Sequence, residues 1–164
     1  MKPQLPSGKS QSASLFGFFV LSFTAAGIGG LATASSVSDW YQTLARPAWG
    51  PPDWLFGPVW TMLFALMAIA GWLVWRSAGW RESRTALVCF VVQLILNSCW
   101  SIIFFGLRQP GWACVEILFL WTAIAITIAM FYPRSPIAAW LLSPYLAWTS
   151  FAAVLNFTIW RMNA

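Results

Sequence analysis

Apolar residues in this chain come in long unbroken runs, not in strand-like alternation or in a single helical stripe. No charged side chain occurs between Ser10 and Ser38, Trp54 and Trp75, Thr85 and Leu107, or Ser135 and Trp160. A fifth run, Trp112 to Phe131, carries one charge, Glu116. About 20 helical residues at ~1.5 Å rise cross a ~30 Å hydrocarbon core, so each run is long enough to span a bilayer. The pattern predicts an all-α integral membrane protein, a bundle of five transmembrane helices over about residues 15–35, 54–75, 85–107, 112–131 and 137–160. Residues 1–14, rich in Ser, Gln, Gly and Pro, read as a disordered tail, and 15–163 as a single domain without internal repeat.

Composition agrees with a membrane setting, since 60% of the 164 residues are hydrophobic and 8% charged. The net charge of +5 comes from nine scattered basic residues that form no run or stripe, which argues against a nucleic-acid partner. Topology explains the excess better. Lys2, Lys9, Arg76, Arg81, Arg84 and Arg134 fall on the N-terminal side, and only Arg46, Arg108 and Arg161 on the other. The positive-inside rule then puts the N-terminus in the cytoplasm and the C-terminus outside for a bacterial inner membrane. In an outer or organellar membrane the same two sides would take other names. A competing reading of the first run is a cleaved signal peptide, with "ATASS" as its cleavage pattern, but the apolar stretch exceeds a usual signal core.

Histidine is absent, which removes the commonest general base and metal ligand. Cys89, Cys99 and Cys114 fall inside predicted spans and read as small buried hydrophobes. No metal or cofactor is expected. The one substantial connection, about Ser36 to Asp53, leads into "RPAWGPPDWLFGPVWT", with four prolines and three tryptophans in sixteen positions. Prolines remove backbone donors and fix φ, so this loop is stiff and not a regular helix. Trp60 and Trp148 lie too deep in their spans for an interfacial belt, and are expected to face the protein interior.

Polar groups inside the spans are few. Gln93 and Asn97 stand at i, i+4 in "VVQLILNSCW", suited either to interhelical hydrogen bonding or to the base of a ligand cavity. Tyr145, Trp148, Ala152 and Leu155 share one face of the last span, a step that is either a packing notch or a pocket floor. Glu116 is expected to pair with Arg46 or Arg108, because an unpaired charge at that depth is expensive; a proton relay is the alternative. In the first span Ala25 with Gly29, and Ala26 with Gly30, have the spacing that lets helices approach closely, in a dimer seam or in internal packing.

In order along the chain, "WYxxLxRPxWxPPxW…VWT", "QLxLN", "FFGxRQxGWAxVE" and "PYLAWxxFAxxLN" together resemble the TspO/MBR family, the tryptophan-rich sensory proteins that include the mitochondrial translocator protein. The resemblance runs from about Leu15 to Asn163. It implies a five-helix bundle, commonly a homodimer in the lipid bilayer. It also implies a cavity that opens toward the long loop and accepts porphyrins, sterols and isoquinoline- or benzodiazepine-type ligands. Family ligand contacts carry over onto Tyr41, Trp49, Pro51, Trp60, Asn97, Trp112, Trp148, Ala152 and Leu155. In the C-terminal motif credited with cholesterol binding, Phe157 stands in the tyrosine position, which argues against sterol binding there. Three functions follow: a porphyrin-binding sensor, a porphyrin or sterol transporter, or a light- and oxygen-dependent porphyrin-degrading enzyme. Only Trp60 and Trp148 are candidates for the last, and no triad, metal cluster or phosphate loop supports conventional catalysis.

Overall fold

A computed structural model describes residues 8–164. Helix α1, Gly8–Val37, holds 30 residues and so extends ~45 Å, more than a bilayer core requires. It begins seven residues before the expected span, so residues 8–14 are helical and not part of a disordered tail; residues 1–7 lie outside the described residues. The Trp72 indole holds this first part of α1 by donating to the Gln11 carbonyl at 3.2 Å.

After α1 come a single turn, α2 (Trp40–Thr43), the proline-rich loop, and a 3-10 turn at Asp53–Leu55. Helix α3, Phe56–Ser101, has 46 residues. A straight helix of that length would run ~69 Å, too long for one crossing. Gly79 breaks it with φ 69° and ψ 178°, a conformation that side-chain-bearing residues seldom adopt. The chain folds back there: Ser83 Oγ donates to the Val74 carbonyl at 3.2 Å. Limbs 56–78 and 80–101 are therefore the second and third spans, and the connection between them is helical except at Gly79.

The third span ends in a widened π turn, Ile102–Gly106, closed by the Leu107 N–H on the Ile102 carbonyl at 2.7 Å. Arg108 at φ 55° reverses the chain, and Pro110 opens α4, Pro110–Phe131. The expected fifth helix is broken in two, α5 (Pro136–Leu141) and α6 (Ser143–Met162). Pro144 cannot donate to the Trp140 carbonyl, and Ser143 Oγ does so instead at 2.7 Å. Arg134 ties the α4–α5 turn to the bend of α3, donating to Glu82 and Met130 carbonyls.

The protein is thus an all-α, multi-pass membrane protein of five spans, one end carrying the long loop and the other the α3 hairpin. The hairpin half is solidly packed. Phe90, fully buried, meets Phe18 edge-on at 6.1 Å and stacks with Phe131 at 6.0 Å. In lipid, where tails are as apolar as leucine, such close packing and not expulsion from water holds helices together.

Candidate ligand cavity

Along its length α1 changes partners. Near the hairpin it lies against the first limb of α3, Phe18 over Gly71 and Phe23 within 6.4 Å of Phe64. Toward the loop it leans on the second limb instead: Ser98 Oγ donates to the Ala25 carbonyl at 3.1 Å, and a Cβ on Gly29 would come within 3.0 Å of Ser101 Oγ. Ser36 Oγ then donates to the Phe105 carbonyl at 2.8 Å. The small-residue spacing at Ala25 and Gly29 therefore serves internal packing. Because α1 diverges from the first limb, the loop half contains a cavity of about 480 Å³.

Its back wall is buried and aromatic: Phe64, Trp100, Phe105 and Tyr41, with half-buried Trp60 and Phe56 beside them. Among the described residues, no charged side chain lines it. The hydroxyls of Thr33 and Thr61 donate to carbonyls four residues back in their own helices, Gly29 and Gly57, at 2.9 Å each. Asn97 Nδ2 donates to Tyr145 Oη at 3.0 Å, and the Trp100 indole to Asn156 Oδ1 at 3.1 Å. The wall spends its donors on the protein, as buried polar groups in a membrane must.

A second, polar cleft of about 600 Å³ lies under the loop and shares Tyr41 with the first cavity. Arg46 organises it. Its Nη1 reaches Asp53 Oδ1 at 2.8 Å, its Nη2 donates to Gln42 Oε1 at 3.0 Å, and the guanidinium lies 4.9 Å from the Tyr41 ring centre. Burial pushes the Tyr41 phenol above the usual tyrosine range, with Arg46 partly offsetting it. The Asn163 side chain fastens the loop to the end of α6, accepting from the Ala45 N–H and donating to the Ala45 carbonyl, both at 2.9 Å.

Of the residues expected at the site, Tyr41, Trp60 and Asn97 line the cavity. Pro51 and Leu155 line the loop cleft. Trp148 stands behind the cavity wall, 6.1 Å from the Phe56 ring, and Phe151 links it to half-exposed Trp49. Ala152 is buried in the core and lines neither space. Trp112 is 69% exposed and lines a separate shallow cleft with Trp160, because α4 turns that face outward. Glu116 pairs with neither Arg46, which Asp53 occupies, nor Arg108; both its carboxylate oxygens are buried without a hydrogen-bond partner among the described residues. Phe23, Phe64, Trp100 and the whole contribution of α1 were not foreseen. The signal was present in Gly27, Gly30 and Ala34, small residues on one helical face.

Comparison with known proteins agrees with this architecture. Residues 18–161 match the model of the TspO/MBR family. The chain is 44% identical over 136 residues to the tryptophan-rich protein TspO of Archaeoglobus fulgidus, covering 83% of this chain and 88% of that one. It is 45% identical over 137 residues to the TspO of Chlorobaculum tepidum, covering 82% and 86%. To the human translocator protein it is 44% identical over 126 residues, covering 76% and 75%. With family-wide similarity across its five spans and loop, the chain belongs to the TspO/MBR family.

Proposed function

We propose that the protein is a membrane ligand-binding sensor that takes planar hydrophobic molecules, porphyrins and isoquinoline- or benzodiazepine-type compounds, into the cavity between α1 and α3. The observation that carries this reading is the cavity itself: about 480 Å³, free of charge and walled by aromatic rings that offer flat faces to a flat ligand. A porphyrin's carboxylates suit the adjoining cleft, where Arg46 lies beside Tyr41.

Binding is favoured over translocation, the activity in the human relative's name, by the asymmetry of the bundle. The cavity stops at Phe23 and Phe64, and below it Phe18, Gly71, Phe90 and Phe131 close the hairpin half. The enzymatic reading rests on Trp60, the one candidate indole that lines the cavity.

Tryptophan quenching by protoporphyrin, titrated in the dark and then in light, tests these readings. Saturable dark quenching is expected, with Trp60→Ala weakening it about tenfold, the ~1.4 kcal/mol that loss of an aromatic contact costs. In light the porphyrin spectrum should persist. A new absorbing species lost in Trp60→Phe would establish the enzyme instead, and absence of saturable quenching would remove the ligand reading.

A further inference from the structure

The cavity has one exposed edge, and its position determines how a ligand arrives. Lining residues on the second limb of α3 and on the loop are buried, Asn97, Trp100, Ser101, Phe105 and Tyr41 among them. Those with exposed surface are Phe23, Gly27, Gly30 and Ala34 on α1, and Gly57 and Thr61 on the first limb. The gap between these two helices is the mouth. Gly30 and Gly27 lie about 10 and 15 Å along α1 from its end at Val37, by helical rise, which places the mouth within the loop-side leaflet. Neighbouring Leu31 and Met62 are exposed as well, as lipid-facing residues are. The aqueous end is shut: Tyr41 is packed on Phe104 and Phe105, Ser36 bonds the Phe105 carbonyl, and Asn163 holds the loop down at Ala45.

We infer that ligands reach this cavity sideways from the bilayer, through a window between α1 and the first limb of α3 edged by Gly27, Gly30, Gly57 and Thr61, and not through the loop. The inference rests on the proposed ligand cavity and deepens it. Glycine suits this edge because a side chain there would stand in the opening: a Cβ at Gly27, Gly30 or Gly57 meets nothing within 4 Å. The window also defines the ligand class, a lipid-dissolved molecule with an uncharged flat body. Acid groups, if present, lie at the loop-side end of the cavity, toward the Arg46 cleft with which it shares Tyr41.

Stopped-flow tryptophan quenching by protoporphyrin, with the protein in phosphatidylcholine nanodiscs, separates the two routes. A leucine at Gly27 projects into the window, so Gly27→Leu should slow association and dissociation together, each by about tenfold. Thr61→Leu, on the opposite edge, should do the same and serves if the first variant does not fold. Asn163→Ala unfastens the loop and should change neither rate. Faster association in Asn163→Ala with parental rates in both window variants would overturn the window and leave the cavity standing. A weaker Kd carried by faster dissociation alone would make Gly27 a wall of the site and also overturn it. If the parent protein shows no saturable quenching, the ligand reading itself fails, and the window with it.

Discussion

An added Cβ on Gly71, in the hairpin half of the bundle, would come within 2.9 Å of the Phe18 ring and 3.2 Å of Phe90, whereas at Gly27 or Gly30, in the loop half, it would meet nothing within 4 Å. The same residue type serves opposite ends: close approach of helix and ring in one half, and an unobstructed gap in the other. Helices in lipid gain nothing from mere apolarity, so the half that is filled holds the bundle together and the other half can stay hollow. Division of labour of this kind lets one short chain be stable and still keep an internal space.

Substitutions that bring the two halves into opposition test this contrast. Phe90→Ala should be the most damaging, destabilising by ~3–5 kcal/mol in detergent unfolding followed by circular dichroism, since it leaves a void between Phe18 and Phe131. Gly71→Leu overfills the same region and should cost ~1–3 kcal/mol, while Gly30→Leu, the same change in the loop half, should stay within ~0.5 kcal/mol. Tyr145→Phe strands Asn97 Nδ2 and should cost ~1–2 kcal/mol, with Asn97→Leu in the same background restoring part of the loss. Smallest of all, Glu116→Gln keeps the shape of a carboxyl group that has no hydrogen-bond partner among the described residues, so stability should be unchanged or slightly raised. A large loss in Glu116→Gln would mean that the carboxylate has a partner in the membrane.

The all-α membrane bundle is legible in the sequence, because charge-free runs of this length have few alternatives. How its helices end is not. Pro144 breaks the last span by withholding a backbone donor and Gly79 bends a helix that otherwise runs on by taking a positive φ, and hydropathy registers neither. Of the cavity-lining residues, Trp60 and Asn97 are legible as an indole and an amide inside their spans, whereas Tyr41, which precedes the second span, is marked only by the family resemblance. The α1 wall was not legible, since small residues carry no chemistry and Gly27 differs from Gly29 only in which limb of α3 stands opposite. Trp112 was misplaced because depth along α4 says nothing about which way its face turns. The expected pairing of Glu116 with Arg46 or Arg108 fails too: Asp53, seven residues from Arg46, takes that guanidinium within the loop, and neither Glu116 oxygen has a partner among the described residues.

The claim on which the rest depends is the location of the bound ligand, and photolabelling reads that directly. A diazirine-bearing isoquinoline carboxamide, bound in the dark, irradiated and mapped by mass spectrometry, should leave its adducts on α1 between Phe23 and Val37 and on α3 between Phe56 and Phe64, with excess unlabelled compound abolishing both. Competable adducts confined to the Trp112 and Trp160 cleft, with α1 unlabelled, would contradict the account.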